Sequence, residues 1–114
     1  MAFAEIELAR IEKTVGGFCR ARTRPEFRDE LRLEYKVDRQ DVEIFEVRPH
    51  WREPGEEIHS PVAKMKYVRS VNEWRLFWMR QDLKWHGYEP FPASRDLEDI
   101  LEVVEEDRFG CFFG

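Results

Sequence analysis

The segment from Trp74 to Pro90, WRLFWMRQDLKWHGYEP, constrains the fold more than any other part of this chain. Its side chains alternate with the period of two that is typical of β-strands, and Asp82-Leu83 provides a short connection between two such runs. Rings at this density favour a pleated sheet, where aromatic residues pair across strands. The segment therefore predicts an antiparallel hairpin, which is either the centre of a small sheet or a binding surface.

Period-two patterns also precede this hairpin. Strands are predicted at residues 31–37, 42–47, 62–70, 74–81 and 84–90. The second of them is apolar on both faces, so we expect it inside the sheet. Residues 49–61 contain Pro49, Pro54 and Pro61 and are predicted to form a long loop without regular structure.

Helical patterns flank the strands on both sides. Residues 3–15 carry an apolar stripe made of Ala4, Leu8, Ile11 and Val15. Gly16-Gly17 is expected to end or kink this helix, because glycine disfavours helix interiors. A second helix is predicted after Ser94, an N-cap residue, with Gly110 near its end. The final CFFG is expected to dock on the protein rather than extend into solvent.

The order helix, strands, helix predicts an α+β fold formed by residues 1–114 as a single domain. We expect an antiparallel four- to five-stranded meander sheet with the N-terminal and C-terminal helices packed on one face. The other face is then exposed, dimerised or ligand-bearing.

Composition limits the function classes. Hydrophobic residues make up 42% of the chain and charged residues 38%, as in a packed domain with a well-solvated surface. No apolar run approaches the ~18 residues of a membrane span, and no signal peptide is present. We therefore expect a cytoplasmic protein with no membrane partner. Cys19 and Cys111 are expected to be reduced thiols.

Charge is spread unevenly along the chain, whose net charge is −5. Residues 48–90 contain eight Lys or Arg against six Asp or Glu, and all three histidines. Residues 91–114 contain two basic residues against seven acidic ones. An acidic chain is weak support for nucleic-acid binding, but its middle is locally basic.

Two hypotheses explain the aromatic and cationic residues of the middle segment besides ordinary cross-strand pairing in a core. The first is a non-enzymatic binding module. In its nucleic-acid version, rings stack on bases and cations hold phosphates. In its protein version, the same face binds a protein partner or a second copy of the chain. The candidate binding residues are Arg48, Trp51, Lys64, Trp78, Arg80, Lys84, His86 and Tyr88.

The alternative hypothesis is a small hydrolase or nuclease that uses His86, Asp82 and Lys84. One register of the two strands places these residues and Arg80 together at one end of the hairpin, where a carboxylate can orient an imidazole, whereas a slip of one residue would reverse this arrangement. The chain has no recognisable nucleophile motif, and the spacings of its His and Cys residues match no metal site. We therefore expect no metal and no cofactor. For the same reasons we favour the non-enzymatic function.

A basic run at Arg20, Arg22, Arg24 and Arg28 is open to two interpretations. Arginines of this kind most often form a solvated face, and less often they contact phosphate. Trp51, between His50 and Arg52 in the predicted loop, either packs on the sheet or serves an interface.

Four motifs resemble those of a family of short bacterial proteins catalogued only as a domain of unknown function. They are VRPHW, the P-x-A-K-x-x-Y of PVAKMKY, and the W-x-L-x-W-x-R-x-D-x-K-W-H-x-Y-x-P of the hairpin, followed by a closing D-x-x-G-C-F-F-G. The resemblance covers nearly the whole chain and is most specific in residues 47–90 and 107–114. It implies a self-standing domain of about this length and no particular activity.

Overall fold

The structure, a computed structural model, describes residues 2–53 and 55–114 and confirms the α+β architecture. In chain order the elements are helix α1 (Glu5–Ile11), a π-helical turn (Glu12–Gly16), α2 (Gly17–Arg22), a 3-10 turn (Pro25–Phe27), β1 (Arg32–Asp38), β2 (Asp41–Pro49), β3 (Glu57–Val68), a second 3-10 turn (Arg69–Val71), β4 (Glu73–Met79), β5 (Trp85–Gly87), β6 (Ala93–Ser94) and α3 (Leu97–Glu106).

The N-terminal helix continues through Gly16-Gly17, so it does not end at these glycines, which was the first of the two outcomes expected there. The π-helical turn joins α1 to α2 and takes in an extra residue, because its hydrogen bonds run from i to i+5. Residues four apart therefore remain on one face, and Ile11, Val15 and Cys19 are all buried. Leu8, which the predicted stripe includes, is 39% exposed for the same reason.

Strands β1 to β5 neighbour one another in sequence order, and each adjacent pair is antiparallel, as the predicted meander requires. The short strand β6 also pairs with β4, which the sequence did not predict because two residues have no detectable period. Ser94 lies in β6 and not at the helix N-cap, a position that Asp96 occupies.

The loop between β2 and β3 spans residues 50–56 and is shorter than predicted, because β3 begins at Glu57. Pro61 lies inside β3 at a bulge, where Val62 is the extra residue between the Phe45–Pro61 and Ile44–Ala63 pairs. Proline is tolerated at bulges and on edges, and β3 pairs with β4 only from Lys64 onward. The predicted turn residue Pro54 lies outside the described residues.

The helices pack on one face of the sheet, as predicted. Buried strand residues such as Ile44, Met65 and Leu76 form one hydrophobic cluster with Val15 and Ile100 of the helices. Burial of this kind is the main source of stability in a domain of this size. In the part of the chain that the structure describes, no helix is long and apolar enough to cross a membrane.

The C-terminal tail docks on the core, as expected. α3 ends at Glu106, before Gly110, and its C-cap residue is Asp107, whose φ of 42° is left-handed. The Asp107 carboxylate accepts hydrogen bonds from the backbone N–H groups of Phe112 (3.0 Å) and Phe113 (2.8 Å). The Phe112 ring then packs against Tyr88 at a centroid distance of 4.9 Å.

Candidate functional site

The face of the sheet opposite the helices is called the open face here, because none of the described helices covers it. Its side chains are those that alternate with the core residues along each strand. They are Arg32, Glu34, Lys36 and Asp38 on β1, Asp41, Glu43, Phe45, Val47 and Pro49 on β2, Glu57, His59, Pro61, Lys64, Lys66 and Val68 on β3, Glu73, Arg75, Phe77 and Met79 on β4, and Trp85 on β5.

One end of the open face is closed by an ion pair. The Arg32 guanidinium reaches from β1 across β2 to the carboxylate of Glu57 on β3 (2.8 Å). Val47 lies between these strands in register with Arg32, and it is 1% exposed although it lies outside the hydrophobic core cluster. The ion pair therefore shields Val47, and we assign this end a structural role.

An apolar band crosses the remainder of the open face. The register places Phe45 of β2 beside Pro61 of β3, and Met79 of β4 beside Trp85 of β5. Phe45, Met79 and Trp85 are each partly exposed. The band thus runs perpendicular to the strands and presents apolar groups from β2 through β5.

Two further rings border this band. His59 of β3 stacks on Phe45 with ring centroids 5.0 Å apart and an interplanar angle of 28°. Phe77 of β4 pairs with Gly87 of β5. A Cβ atom built on Gly87 would meet nothing within 4 Å beyond its own chain neighbours. The Phe77 ring is therefore uncovered from the β5 side. With Trp85, each of the strands β2 to β5 contributes one ring to the open face.

A cationic band lies beside the apolar band, toward the β1–β2 turn. Its members are Lys36, Lys64, Lys66 and Arg75. The Lys36 ammonium lies 5.8 Å from the Phe45 ring centroid, and that of Lys64 lies 5.9 Å from the Trp85 ring centroid. Both distances are within the range of a cation–π interaction.

Carboxylates neutralise only part of this cationic band. Lys36 lies 3.4 Å from Glu43, and Lys64 lies 3.5 Å from Asp41. Lys66 makes no ion pair with any residue that the structure describes. The open face as a whole carries five Lys or Arg and six Asp or Glu, so four of the five net negative charges of the chain reside on the other surfaces. A polyanion meets less repulsion here than elsewhere on the chain.

The predicted binding residues do not lie on one surface. Only Lys64 is on the open face. Trp78 and His86 are a cross-strand pair on the helix-covered face, with the Arg80 guanidinium 5.5 Å from the Trp78 ring centroid. Tyr88 is on that face too, 2% exposed beneath the C-terminal tail, and it belongs to the core.

At the polar end of the hairpin the side chains of His86 and Asp82 meet, whereas Lys84 contributes its backbone N–H. The His86 Nε2 atom lies 2.8 Å from Asp82 Oδ2, and the Lys84 backbone N–H donates to Asp82 Oδ1 at 3.0 Å. These bonds hold the pKa of Asp82 below its ordinary value, the one from His86 most strongly. Across residues 2–53 and 55–114, no three His, Cys, Asp or Glu side chains are grouped to bind a metal.

Arg48 lies on β2, two strands away from β4, and pairs with Ile58 on β3. The Arg48 guanidinium lies 3.6 Å from the Glu46 carboxylate on the helix-covered face.

Trp51 does not pack on the sheet. It is 74% exposed in the β2–β3 loop, with the His50 ring 6.0 Å and the Arg52 guanidinium 4.3 Å from its own ring. His50 Nδ1 accepts the backbone N–H groups of Arg52 and Glu53, which fixes the turn. The role of Trp51 in an interface stays a prediction.

Phe45, His59, Phe77 and Met79 were not among the predicted binding residues. A signal for two of them was present, because alternation places Phe77 and Met79 opposite the row of Trp74, Leu76 and Trp78. Only one of two apolar rows on a strand can face the helices, so the other marks the open face.

One family model, described as a domain of unknown function (DUF3024), matches residues 3–114. No curated protein and no solved structure matches the chain.

Proposed function

The chain therefore belongs to this family of domains of unknown function, and from its geometry we propose that it is a non-enzymatic binding module that holds single-stranded nucleic acid on the open face. The observation that carries the proposal is the apolar band with its bordering rings, next to a band of cations. Each of the strands β2 to β5 contributes one of these rings. Sheets bind single strands by stacking bases on such rings while basic groups follow the phosphates.

The spacing of the two bands suits this ligand. Along β3, Lys64 and Lys66 follow Pro61 by three and five residues, which corresponds to roughly 10–17 Å of strand. Lysine side chains reach back over part of that length, as the Lys64 ammonium does over Trp85. Bases on Phe45 and Trp85 would then place their phosphates over Lys36 and Lys64.

Exposure favours a stacked ligand over a protein partner. The most exposed large apolar side chains are Leu83 at the hairpin turn, Ile6 on α1 and Trp51 in the β2–β3 loop, and none of the three lies on the open face. The rings of the open face are partly buried and surrounded by charged groups, which offers little dry area for the core of a protein interface. A base needs only the face of a ring.

The test is a fluorescence titration of the protein with an oligothymidylate and an oligouridylate of about ten nucleotides, a length near the site size of one small sheet domain. We expect quenching of Trp85 and an affinity that falls as salt rises, because bound lysines release counterions from the phosphates. Trp85→Leu should weaken binding about fivefold to a hundredfold, the range for one lost base stack.

Trp51→Leu is the matched control, since it also removes one tryptophan but from a loop tip away from the open face. It should bind as the wild type does. Absence of any salt-dependent change at micromolar protein would contradict the proposal. So would a dimer in light scattering that Trp85→Leu dissociates and nucleic acid does not, which would show that a second copy occupies the open face.

The hydrolase hypothesis stays a prediction. The His86–Asp82 pair has the geometry of an oriented imidazole, but it lies on an exposed hairpin turn on the opposite face of the sheet from the apolar band. Since His86→Gln removes the imidazole without touching the open face, it should leave nucleic-acid binding unchanged.

A further inference from the structure

A cleft of about 330 Å³ opens on the helix-covered side of the sheet, away from the open face. Its walls are the segment that follows α2, strands β1 and β2, and the C-terminal tail. This volume is at the small end of the range of ligand pockets. Its lining residues are Arg22, Arg24, Phe27, Glu30, Leu31, Arg32, Leu33, Glu46 and Phe113.

The floor of the cleft is apolar and incompletely covered. Phe27 is 47% exposed and Leu31 is 40% exposed, although both are large apolar side chains beside the core residue Leu33. Phe113 closes one side and is held by the Asp107 hydrogen bond to its backbone. A ligand with an apolar body would remove this surface from water.

Most arginines near the cleft are already paired. Arg22 donates to Glu105 at 2.6 Å and lies 3.8 Å from the Phe113 ring centroid, so it is part of the wall. Arg32 lines the cleft too, but its guanidinium is bound to Glu34 and Glu57 on the open face. Arg24 makes no ion pair with any residue that the structure describes.

Two carboxylates accompany Arg24 at the cleft. Glu30 makes no ion pair within the described residues. Within the same residues, the Glu46 carboxylate pairs with the Arg48 guanidinium alone, at 3.6 Å. The cleft therefore offers a cation for a carboxylate, acids for an ammonium and an apolar floor between them. A simple anion would be repelled by the two acids, and a simple cation by Arg24.

We propose that this cleft binds a free amino acid with an apolar side chain, its carboxylate on Arg24, its ammonium on Glu46 and its side chain against Phe27 and Leu31. The proposal is independent of nucleic-acid binding on the open face. It also gives a role to the basic run of the sequence, in which Arg20 pairs with Glu12 and Arg22 with Glu105.

Isothermal titration calorimetry with L-phenylalanine and L-leucine tests the proposal on the intact protein. Arg24→Gln should weaken binding of phenylalanine about tenfold, the effect of one lost charge-assisted hydrogen bond. Phenylalanine amide, which lacks the carboxylate, should bind the wild type more weakly than phenylalanine does. Arg24→Gln should leave the affinity for this amide unchanged. Glu46→Gln should weaken both probes and leave N-acetyl-phenylalanine, which has no ammonium, unaffected.

Arg28→Gln is the matched control, because Arg28 belongs to the same basic run but does not line the cleft. It should bind phenylalanine as the wild type does, and thermal melts should show that all variants are folded. No heat of binding for either amino acid up to about 10 mM, a concentration above any specific affinity of interest, would overturn the proposal. Equal binding of phenylalanine, its amide and its N-acetyl form would overturn it as well.

Discussion

Lys64 joins the two bands of the open face, with its ammonium 5.9 Å from the ring centroid of Trp85 and 3.5 Å from the carboxylate of Asp41. It lies on β3, so it reaches β5 on one side and β2 on the other. Asp41 holds the cation beside the ring rather than in bulk water. A ligand that stacks on Trp85 would therefore meet a positioned positive charge.

Gly87 offers a way to block the open face without unfolding the sheet. A Cβ at this position meets nothing within 4 Å, and the residue pairs with Phe77 on the neighbouring strand β4. Gly87→Val should keep or slightly raise the melting temperature, because valine suits strands better than glycine. It should weaken oligonucleotide binding by about tenfold through loss of access to the Phe77 ring, within the range of one base stack. Unchanged affinity in the fluorescence titration would exclude Phe77 from the site.

Gly16 allows Glu12 to fold back across the helix. A Cβ at Gly16 would lie 2.5 Å from Glu12 Oε2, and this carboxylate accepts hydrogen bonds from Tyr35 and Arg20. Gly16→Ala should gain helix propensity of up to ~1 kcal/mol but displace the carboxylate. We therefore expect little net change in the wild type and a clear gain in the Glu12→Ala background.

Urea denaturation of the wild type, both single variants and the double variant measures this coupling as a double-mutant cycle. Additive effects of the two substitutions would contradict the account of Gly16.

Glu12 should make stability depend on pH. The hydrogen bond from Tyr35 first, and then that from Arg20, hold the pKa of Glu12 below its ordinary value of 4.5. Because the pKa is lower in the folded protein, the stabilisation is complete above pH 4.5 and is lost as the pH falls through the folded value. The stability difference between wild type and Glu12→Gln should thus shrink from pH 6 to pH 3. Tyr35→Phe should reduce this pH dependence, and a difference that stays constant with pH would refute it.

Asp107 should anchor the C-terminal tail. Its carboxylate accepts two backbone N–H groups, and its left-handed φ of 42° disfavours most side chains. Asp107→Ala should cost about 2–4 kcal/mol, from two charge-assisted hydrogen bonds and ~1 kcal/mol of backbone strain. Asp107→Asn should recover part of this loss, because asparagine keeps one acceptor and tolerates this conformation. Equal unfolding free energies for wild type and Asp107→Ala in urea would show that the tail is held only by Phe112.

Much of the architecture was predictable because hydrophobic period reports local structure directly. The alternation of β4, with Trp74, Leu76 and Trp78 on one side, identified a strand and its two rows correctly. The path of the N-terminal helix was not predictable in the same way, since a π-helical turn shifts the phase without changing composition. Pro61 misled for a related reason, because a bulge removes the usual cost of proline in a strand.

The site was less predictable than the fold. The candidate set grouped Lys64 with Trp78, which lie on opposite faces, because a strand with two apolar rows does not reveal which row faces the helices. Phe45 and His59 were also absent from the predicted binding residues. Their rings stack because of the register between β2 and β3, which the bulge at Val62 sets. One residue of slip exchanges the two faces, so the open face requires three-dimensional pairing information.

The most direct test of the central claim is an NMR titration of the isotope-labelled protein with an oligouridylate. We predict that the Met79 methyl, the Trp85 indole N–H and the ring resonances of Phe45 shift together, while Trp51 and the residues around His86 do not. Shifts confined to the Trp51 loop or to the helix-covered face, or no shifts at all, would contradict the assignment of the open face as the binding surface.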